Sequence, residues 1–159
     1  MTHKATSNKF YSFSFLKKAI HFFILHISRL FLVPPFLRPR LLSLCGVEFS
    51  DHKSVFIGTD VLFDNLKNTK TKIGKNVIIT SGVKMINHFP ILTKNGVSEY
   101  DMGDIIIEDN VFIGMNVLII KPIRVGKGAV IGAGSVVTKD IPAGAIVGGN
   151  PAKIISYVK

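Results

Sequence analysis

From Ile107 onward an apolar residue recurs at every sixth position: Ile107, Ile113, Ile119, Val125, Ile131 and Val137. The position after each head is commonly small or acidic, as at Glu108, Gly114, Gly126 and Gly132. Four places after each head comes another small or β-branched residue, in turn Val111, Val117, Ile123, Ala129, Ser135 and Ile141. Six units in unbroken register fit neither a 3.6-residue helical period nor simple strand alternation. The pattern predicts a mostly β domain in which each unit is a short strand and a turn, and three units close a triangular coil. Coils stack at the spacing of hydrogen-bonded strands, about 4.8 Å, so the heads form apolar ladders inside a prism. No coil buries its inward residues alone, which makes stability a property of the stack. The glycines fall at turns, where a side chain would clash or a positive φ is required.

Upstream the pattern continues with interruptions. Ile73, Ile79 and Met85 head three more units, with Val77 and Val83 at internal positions. Ile57 and Phe63 head an earlier pair around Val61, but residues 69–72 leave that coil two short, so it reads as irregular. After Met85 a head is due at position 91, yet the next clear one is Ile107, so sixteen residues are inserted. This insert, 91–106, contains Asn95-Gly96 and reads as a projecting loop of the kind that carries function on a rigid scaffold. The chain thus divides into an N-terminal arm over 1–45, a prism over 46–142 with its insert, and a C-terminal segment over 143–159.

The arm is apolar and basic from Phe10 to Leu42, and Pro34-Pro35 ends any helix that begins near Ser14. Its most apolar stretch, 19–33, is shorter than the roughly 20 residues of a spanning helix and contains Arg29. No small-residue cleavage site follows it, which argues against a signal peptide. Two readings stand. A helix caps the open end of the prism, burying Phe22, Phe23, Leu25 and Leu30, or it lies on an anionic membrane surface with Lys17, Lys18, Arg29, Arg38 and Arg40 toward the headgroups. One segment could do both, and the net +10 is concentrated in it: residues 1–40 hold seven Lys or Arg and no Asp or Glu. From residue 41 the balance is 13 basic to 10 acidic, which is no basic face for nucleic acid. Cys45, the single cysteine, forms no internal disulfide and reads as a buried apolar thiol in a protein at home in the cytoplasm, peripheral at the inner face of the membrane if the arm binds lipid.

The stretch Ile131-Gly132-Ala133-Gly134-Ser135-Val136-Val137-Thr138-Lys139-Asp140-Ile141-Pro142, followed by Gly149-Asn150-Pro151-Ala152-Lys153, resembles the C-terminal signature of the hexapeptide-repeat acyltransferases. The nearest in kind are galactoside, maltose and nodulation-factor O-acetyltransferases and the O-acetyltransferases of capsule and O-antigen sugars. The resemblance covers about residues 46–155. It implies a left-handed parallel β-helix, a homotrimer with active sites between neighbouring prisms, acetyl-CoA as co-substrate, and a saccharide acceptor in surface polysaccharide synthesis.

Acyl transfer to a hydroxyl needs a base, donors for the developing oxyanion and a groove that holds the thioester in line. His88, in Asn87-His88-Phe89-Pro90 at the root of the insert, is the catalytic base by position and by resemblance, with Asn87 beside it as a substrate contact. His3, His21, His26 and His52 lie apart from that root. Spacing assigns no carboxylate partner to His88; Glu99, Asp101 and Asp104 of the insert are open alternatives, as is a backbone carbonyl. Positions matching the family's CoA contacts are Met115, Ala133, Thr138, Lys139 and Lys153, the two lysines being suited to nucleotide phosphates. Phe112 stands where many relatives have tryptophan, and Ser156 where some have a second cation. N-acetylation of an amino sugar, O-acetylation of an antibiotic and a non-catalytic β-helical binding module are the alternatives. A γ-type carbonic anhydrase on the same prism needs three zinc histidines, and the prism offers only His52 and His88, so no metal is expected.

Overall fold

The structure, a computed structural model, describes residues 15–29, 32–65 and 68–159. Two helices, α1 (Phe15–Arg29) and α2 (Arg38–Ser43), precede the prism. The first coil contains β1 (Val47–Phe49), β2 (Phe56–Ile57) and β3 (Leu62–Asp64), and the second β4 (Thr71–Ile73), β5 (Ile78–Ile79) and β6 (Lys84–Ile86). Then come β7 (His88–Thr93) and β8 (Gly96–Met102), outside the coils. The third coil is β9 (Ile105–Ile107), β10 (Phe112–Ile113) and β11 (Leu118–Ile119), the fourth β12 (Arg124–Val125), β13 (Val130–Ile131) and β14 (Val136–Val137). β15 (Ala145–Gly148) and β16 (Lys153–Tyr157) close the chain.

The coils stack into three parallel faces: β1-β4-β9-β12, β2-β5-β10-β13-β15 and β3-β6-β11-β14. Every repeat head read from the sequence enters a ladder. Phe49, Ile73, Ile107 and Val125 line the first face. Ile57, Ile79, Ile113, Ile131 and Val147 line the second, and Phe63, Met85, Ile119 and Val137 the third. Nearly all are buried in one continuous apolar core, which is what the six-step pattern requires. The mostly β, parallel β-helical fold is therefore the one the sequence implies.

Four details correct the sequence reading. The irregular coil is long rather than short: it opens at Phe49, eight residues before Ile57, and Phe63 is ten before Ile73. The insert is not a loop but a hairpin that starts at His88, since β7 pairs antiparallel with β8 from His88↔Met102 to Thr93↔Gly96. Asn-Gly between residues of strand propensity is a hairpin signal, and Gly96 takes the left-handed φ of +101° that the turn needs. The ladder also runs past residue 142 into β15, so the C-terminal segment is partly prism. Finally, the two turn requirements fall on different positions. An added Cβ on Gly114 would lie 2.6 Å from the backbone N of Ala133 in the next coil. Positive φ instead occurs two places later, at Asn76, Gly82, Asn110, Asn116, Gly128 and Gly134, where asparagine serves nearly as well as glycine.

The N-terminal end is capped differently from the expectation. Each coil donates its N–H groups to carbonyls of the next, as Gly58 does to Ile79 (2.8 Å), so carbonyls of the first coil face the open end. Buried Arg38 donates from Nη1 to Ile57 O at 2.7 Å. Leu42 of α2 joins the core beneath the first coil. Helix α2 is thus the apolar cap. Phe22 and Phe23 of α1, expected under the prism, are 63% and 64% exposed. Leu30 and the side chain of Leu25 lie outside the described residues. Nor do Arg29 and Arg38 face outward: Arg29 is ion-paired with Asp60, and Arg38 is sequestered to satisfy a carbonyl that water does not reach.

Candidate active site

Three corners join the faces, and the corner between the third and first faces holds His88. Successive coils place there Asp64, then Asn87 and His88, then Ile120 and Lys121, then Thr138 and Lys139. His88 opens the hairpin where the chain leaves β6, so the prism fixes its backbone and the hairpin covers one side. Its side chain is 26% exposed, and its Nδ1 lies 3.5 Å from Oδ2 of Asp64, itself 37% exposed. The Tyr100 ring meets the imidazole edge-on, with centroids 5.7 Å apart and planes at 63°.

The carboxylate beside His88 is therefore Asp64, which the sequence reading missed by searching the insert. Stacking supplies the signal that was overlooked: Phe63 and Met85 share a ladder, so the residues that follow them share a corner. Of the carboxylates considered, Asp104 is engaged elsewhere. It accepts from Lys72 Nζ at 2.7 Å and from the Lys70 N–H at 2.9 Å. Burial pushes its carboxyl upward, but the hydrogen bond and charge of Lys72, with the Lys70 N–H, outweigh this and hold it below the usual carboxylate range.

Asn87 differs from its expected role. Its side chain is fully buried, and Nδ2 donates to Lys70 O (3.1 Å) and Gly103 O (3.3 Å). The Gly103 N–H returns a bond to Asn87 O (3.2 Å), so both legs of the insert are tied at their root. A side chain with no exposed surface cannot touch an acceptor in this chain. What its two bonds do is anchor the root of the hairpin that His88 opens.

The residues matched to CoA contacts fall into groups. Thr138 and Lys139 share the His88 corner, two coils along, or about 10 Å at the stacking distance. Met115 and Ala133 occupy the corner between the second and third faces, where the Gly134 N–H bonds Met115 O at 2.7 Å. Lys153 opens β16 beside Gly148, exposed to solvent. The third face, one six-residue unit wide and so roughly 15–20 Å across, separates the two corners.

Other groups do not converge on this site. Cys45 is buried, which pushes its thiol pKa up, opposite to what a nucleophile needs. His52 packs against Phe49 (centroids 5.2 Å apart) and His26 against Phe22 (3.9 Å), while His3 and the side chain of His21 lie outside the described residues. Among the described residues no three His, Cys, Asp or Glu cluster as metal ligands. A cleft on the first face passes between Glu48, Lys72, Glu108 and Lys127. Of its carboxylates, Glu48 is paired with Lys70 and Glu108 with Arg124, and Asp109 accepts the Lys75 N–H at 2.7 Å.

Residues 104–139 match the hexapeptide repeat of succinyl-transferase. Over 83 residues the chain is 46% identical to a 2,3,4,5-tetrahydropyridine-2,6-dicarboxylate N-acetyltransferase of Staphylococcus aureus, covering 52% of this chain and 31% of that protein. The chain thus spans about a third of the length of the curated relatives it matches. Among solved structures it is similar to a polySia-specific acetyltransferase, with 34% identity, a TM-score of 0.61, and 70% of this chain and 51% of that one covered. It is similar also to a galactoside acetyltransferase in complex with coenzyme A, with 25% identity, a TM-score of 0.62, and 91% and 80% covered. With its uninterrupted ladders and these likenesses, the chain carries hexapeptide repeats and has the parallel β-helical fold of solved hexapeptide-repeat acetyltransferases.

Proposed function

We propose that this protein transfers the acetyl group of acetyl-CoA to a saccharide hydroxyl, with His88 as general base and Asp64 orienting it. The observation that carries the reading is the His88–Asp64 pair at the corner shared with Thr138 and Lys139. With the proton on Nδ1, the nitrogen 3.5 Å from the Asp64 carboxylate, Nε2 would be the one left to accept the acceptor's hydroxyl proton. The hydroxyl oxygen then attacks the thioester carbonyl, the C–S bond breaks, and the proton passes through His88 to the departing thiolate. No acyl-enzyme is required, and the buried thiol of Cys45 offers none.

The separation of Met115 and Ala133 from His88 supports a site completed by a second copy. In a homotrimer one prism would supply the His88 corner and its neighbour the Met115 corner, with acetyl-CoA in the seam. The outward residues of the second face favour such an assembly. Phe56, Ile78, Phe112, Val130 and Ile146 are aligned strand by strand into an apolar stripe, and the first three are exposed in the single chain. Lys139 and Lys153 would meet the nucleotide phosphates as point charges.

Likeness to the polySia-specific and galactoside enzymes supports a saccharide acceptor, and a role in capsule or O-antigen synthesis extends that reading. The N-acetyltransferase relatives favour one other reading, an amino group as acceptor on the same donor site. Release of CoA thiol from acetyl-CoA, measured across a panel of oligosaccharides, amino sugars and streptogramins, separates the two. His88→Ala should lower turnover about 10²–10⁴-fold with acetyl-CoA binding nearly unchanged. Full activity in that variant would refute the mechanism, and thiol release confined to amino acceptors would move the assignment to N-acetylation.

A further inference from the structure

Helix α1 contradicts the usual placement of apolar side chains. Of its described side chains, Ser28 is the buried one, while Ile20, Phe22 and Phe23 stand out in solvent. Leu32, Phe36 and Leu44, on the segments that follow, are also exposed, Leu32 at 87%. Large apolar side chains clustered on one end of a protein mark a surface that is covered in use. The same segment supplies the charge excess, seven Lys or Arg and no acidic residue in 1–40. Arg29 and Arg38 are turned to Asp60 and Ile57 O, but Arg40 is exposed, and Lys4, Lys9, Lys17 and Lys18 belong to the same segment.

We infer that the arm is a membrane-docking surface that places the prism on an anionic bilayer, its aromatic side chains in the acyl boundary and its cations among the headgroups. Charge decides the occupant. A second copy of the arm would bring two cationic, acid-free segments together, whereas a negatively charged leaflet complements both the cations and the apolar face. The helix lies on the surface and does not cross it: fifteen residues rise about 22 Å, short of the roughly 30 Å hydrocarbon core. None of the described helices is long and apolar enough to span. The Arg29–Asp60 ion pair and the Asp60 N–H bond to Arg29 O (3.1 Å) couple α1 to the first coil, so docking orients the whole prism. The end presented is the one nearer His88, since Asp64 belongs to the first coil and His88 to the second. The docking itself does not depend on the acetyl-transfer reading.

The test is flotation of the full chain with vesicles of 30% phosphatidylglycerol in phosphatidylcholine, against phosphatidylcholine alone, at 50 mM and 500 mM salt (about a threefold change in screening length). The protein should float with the anionic vesicles at low salt and be released at high salt. F22S/F23S should weaken partitioning about tenfold or more. K17E/K18E/R40E should abolish the preference for phosphatidylglycerol, and circular dichroism should stay native in both variants, Phe22, Phe23 and Arg40 being exposed. Equal behaviour with both vesicle types, or F22S/F23S floating like the parent, would overturn the inference. So would a parent that ignores vesicles and a variant that only changes oligomer size, since the occupant would then be a second copy.

Discussion

Replacing Asn87 separates two roles that the sequence does not distinguish, contact with the acceptor and construction of the site. In the structure the carboxamide is fully buried, and its Nδ2 bonds two carbonyls, Lys70 O just before β4 and Gly103 O where the hairpin returns to the prism. Asn87→Ala deletes both donors and leaves both acceptors in place. Two hydrogen bonds at about 1 kcal/mol net each, plus the cost of Gly103 O losing its Asn87 donor while Lys70 O keeps the Ile105 N–H at 3.0 Å, give a loss of about 2–4 kcal/mol. For a chain of this size that is a fall of roughly 1–2 M in the urea midpoint, or about 5–15 °C in Tm. Circular dichroism is the assay, because the chain has no tryptophan, and parent and variant must be compared at one protein concentration, since assembly contributes to apparent stability. Turnover should fall with stability as His88 loses its fixed origin, and amide exchange should rise across residues 88–102. An unchanged urea midpoint together with a raised KM for the acceptor alone would refute this account and restore Asn87 as a substrate contact.

Three further outcomes follow from the same geometry. At 3.5 Å the Asp64–His88 attraction is about 1–5 kcal/mol for effective dielectrics of roughly 80 down to 20, and the partial exposure of both groups favours the low end. Asp64→Asn should therefore cut kcat about tenfold with the KM for acetyl-CoA unchanged, and an unaltered kcat would remove Asp64 from the site. Gly114→Ala, whose new methyl would meet backbone on the adjacent coil, should cost about 2–3 kcal/mol; Gly132→Ala, with its nearest atom 3.3 Å away, should cost no more than about 1, and equal effects would contradict the steric account. Asp104 is held below its ordinary pKa, so its contribution is fully present above that value and is lost as pH falls through the lower folded one. Chemical denaturation of Asp104→Asn between pH 5 and 2 should show a shallower acid loss than the parent, and parallel curves would exclude the Lys72 pair as the source.

The prism was legible because its period is written in the side chains that pack. A head at every sixth position admits one closure, and each of those heads is in a ladder. The first coil was harder because Phe49 and Ile73 are displaced from the six-step count by extra residues at the corners, which alter length without altering the ladder. The hairpin was written in Asn95-Gly96 and in β-prone neighbours, and reading them as a loop overlooked that local signal. The orientation of the arm was not legible. Periodicity says that a helix has an apolar face, but only the structure shows that Leu42 and Arg38 already close the prism and leave the α1 aromatics outside.

The site itself shows why a repeat can be read while its chemistry stays half hidden. Side chains pointing into the prism answer to their neighbours in the ladder, and this constraint repeats with every coil. Corner side chains answer only to what lies one coil above or below, a relation that crosses some twenty residues of sequence. His88 was found because the insert breaks the period beside it. Asp64 was not, because it sits in an unremarkable position after a regular head, and only the Phe63–Met85 register brings it under the imidazole. The same logic accounts for Met115 and Ala133, which match a cofactor motif yet lie across a face from His88: proximity to a motif specifies the corner, whereas in the proposed trimer the partner of that corner would be specified by how prisms pack. A pair of catalytic groups in such a fold is therefore best sought by listing the residues that share a corner within two coils, and then the corner that an adjoining prism would bring opposite.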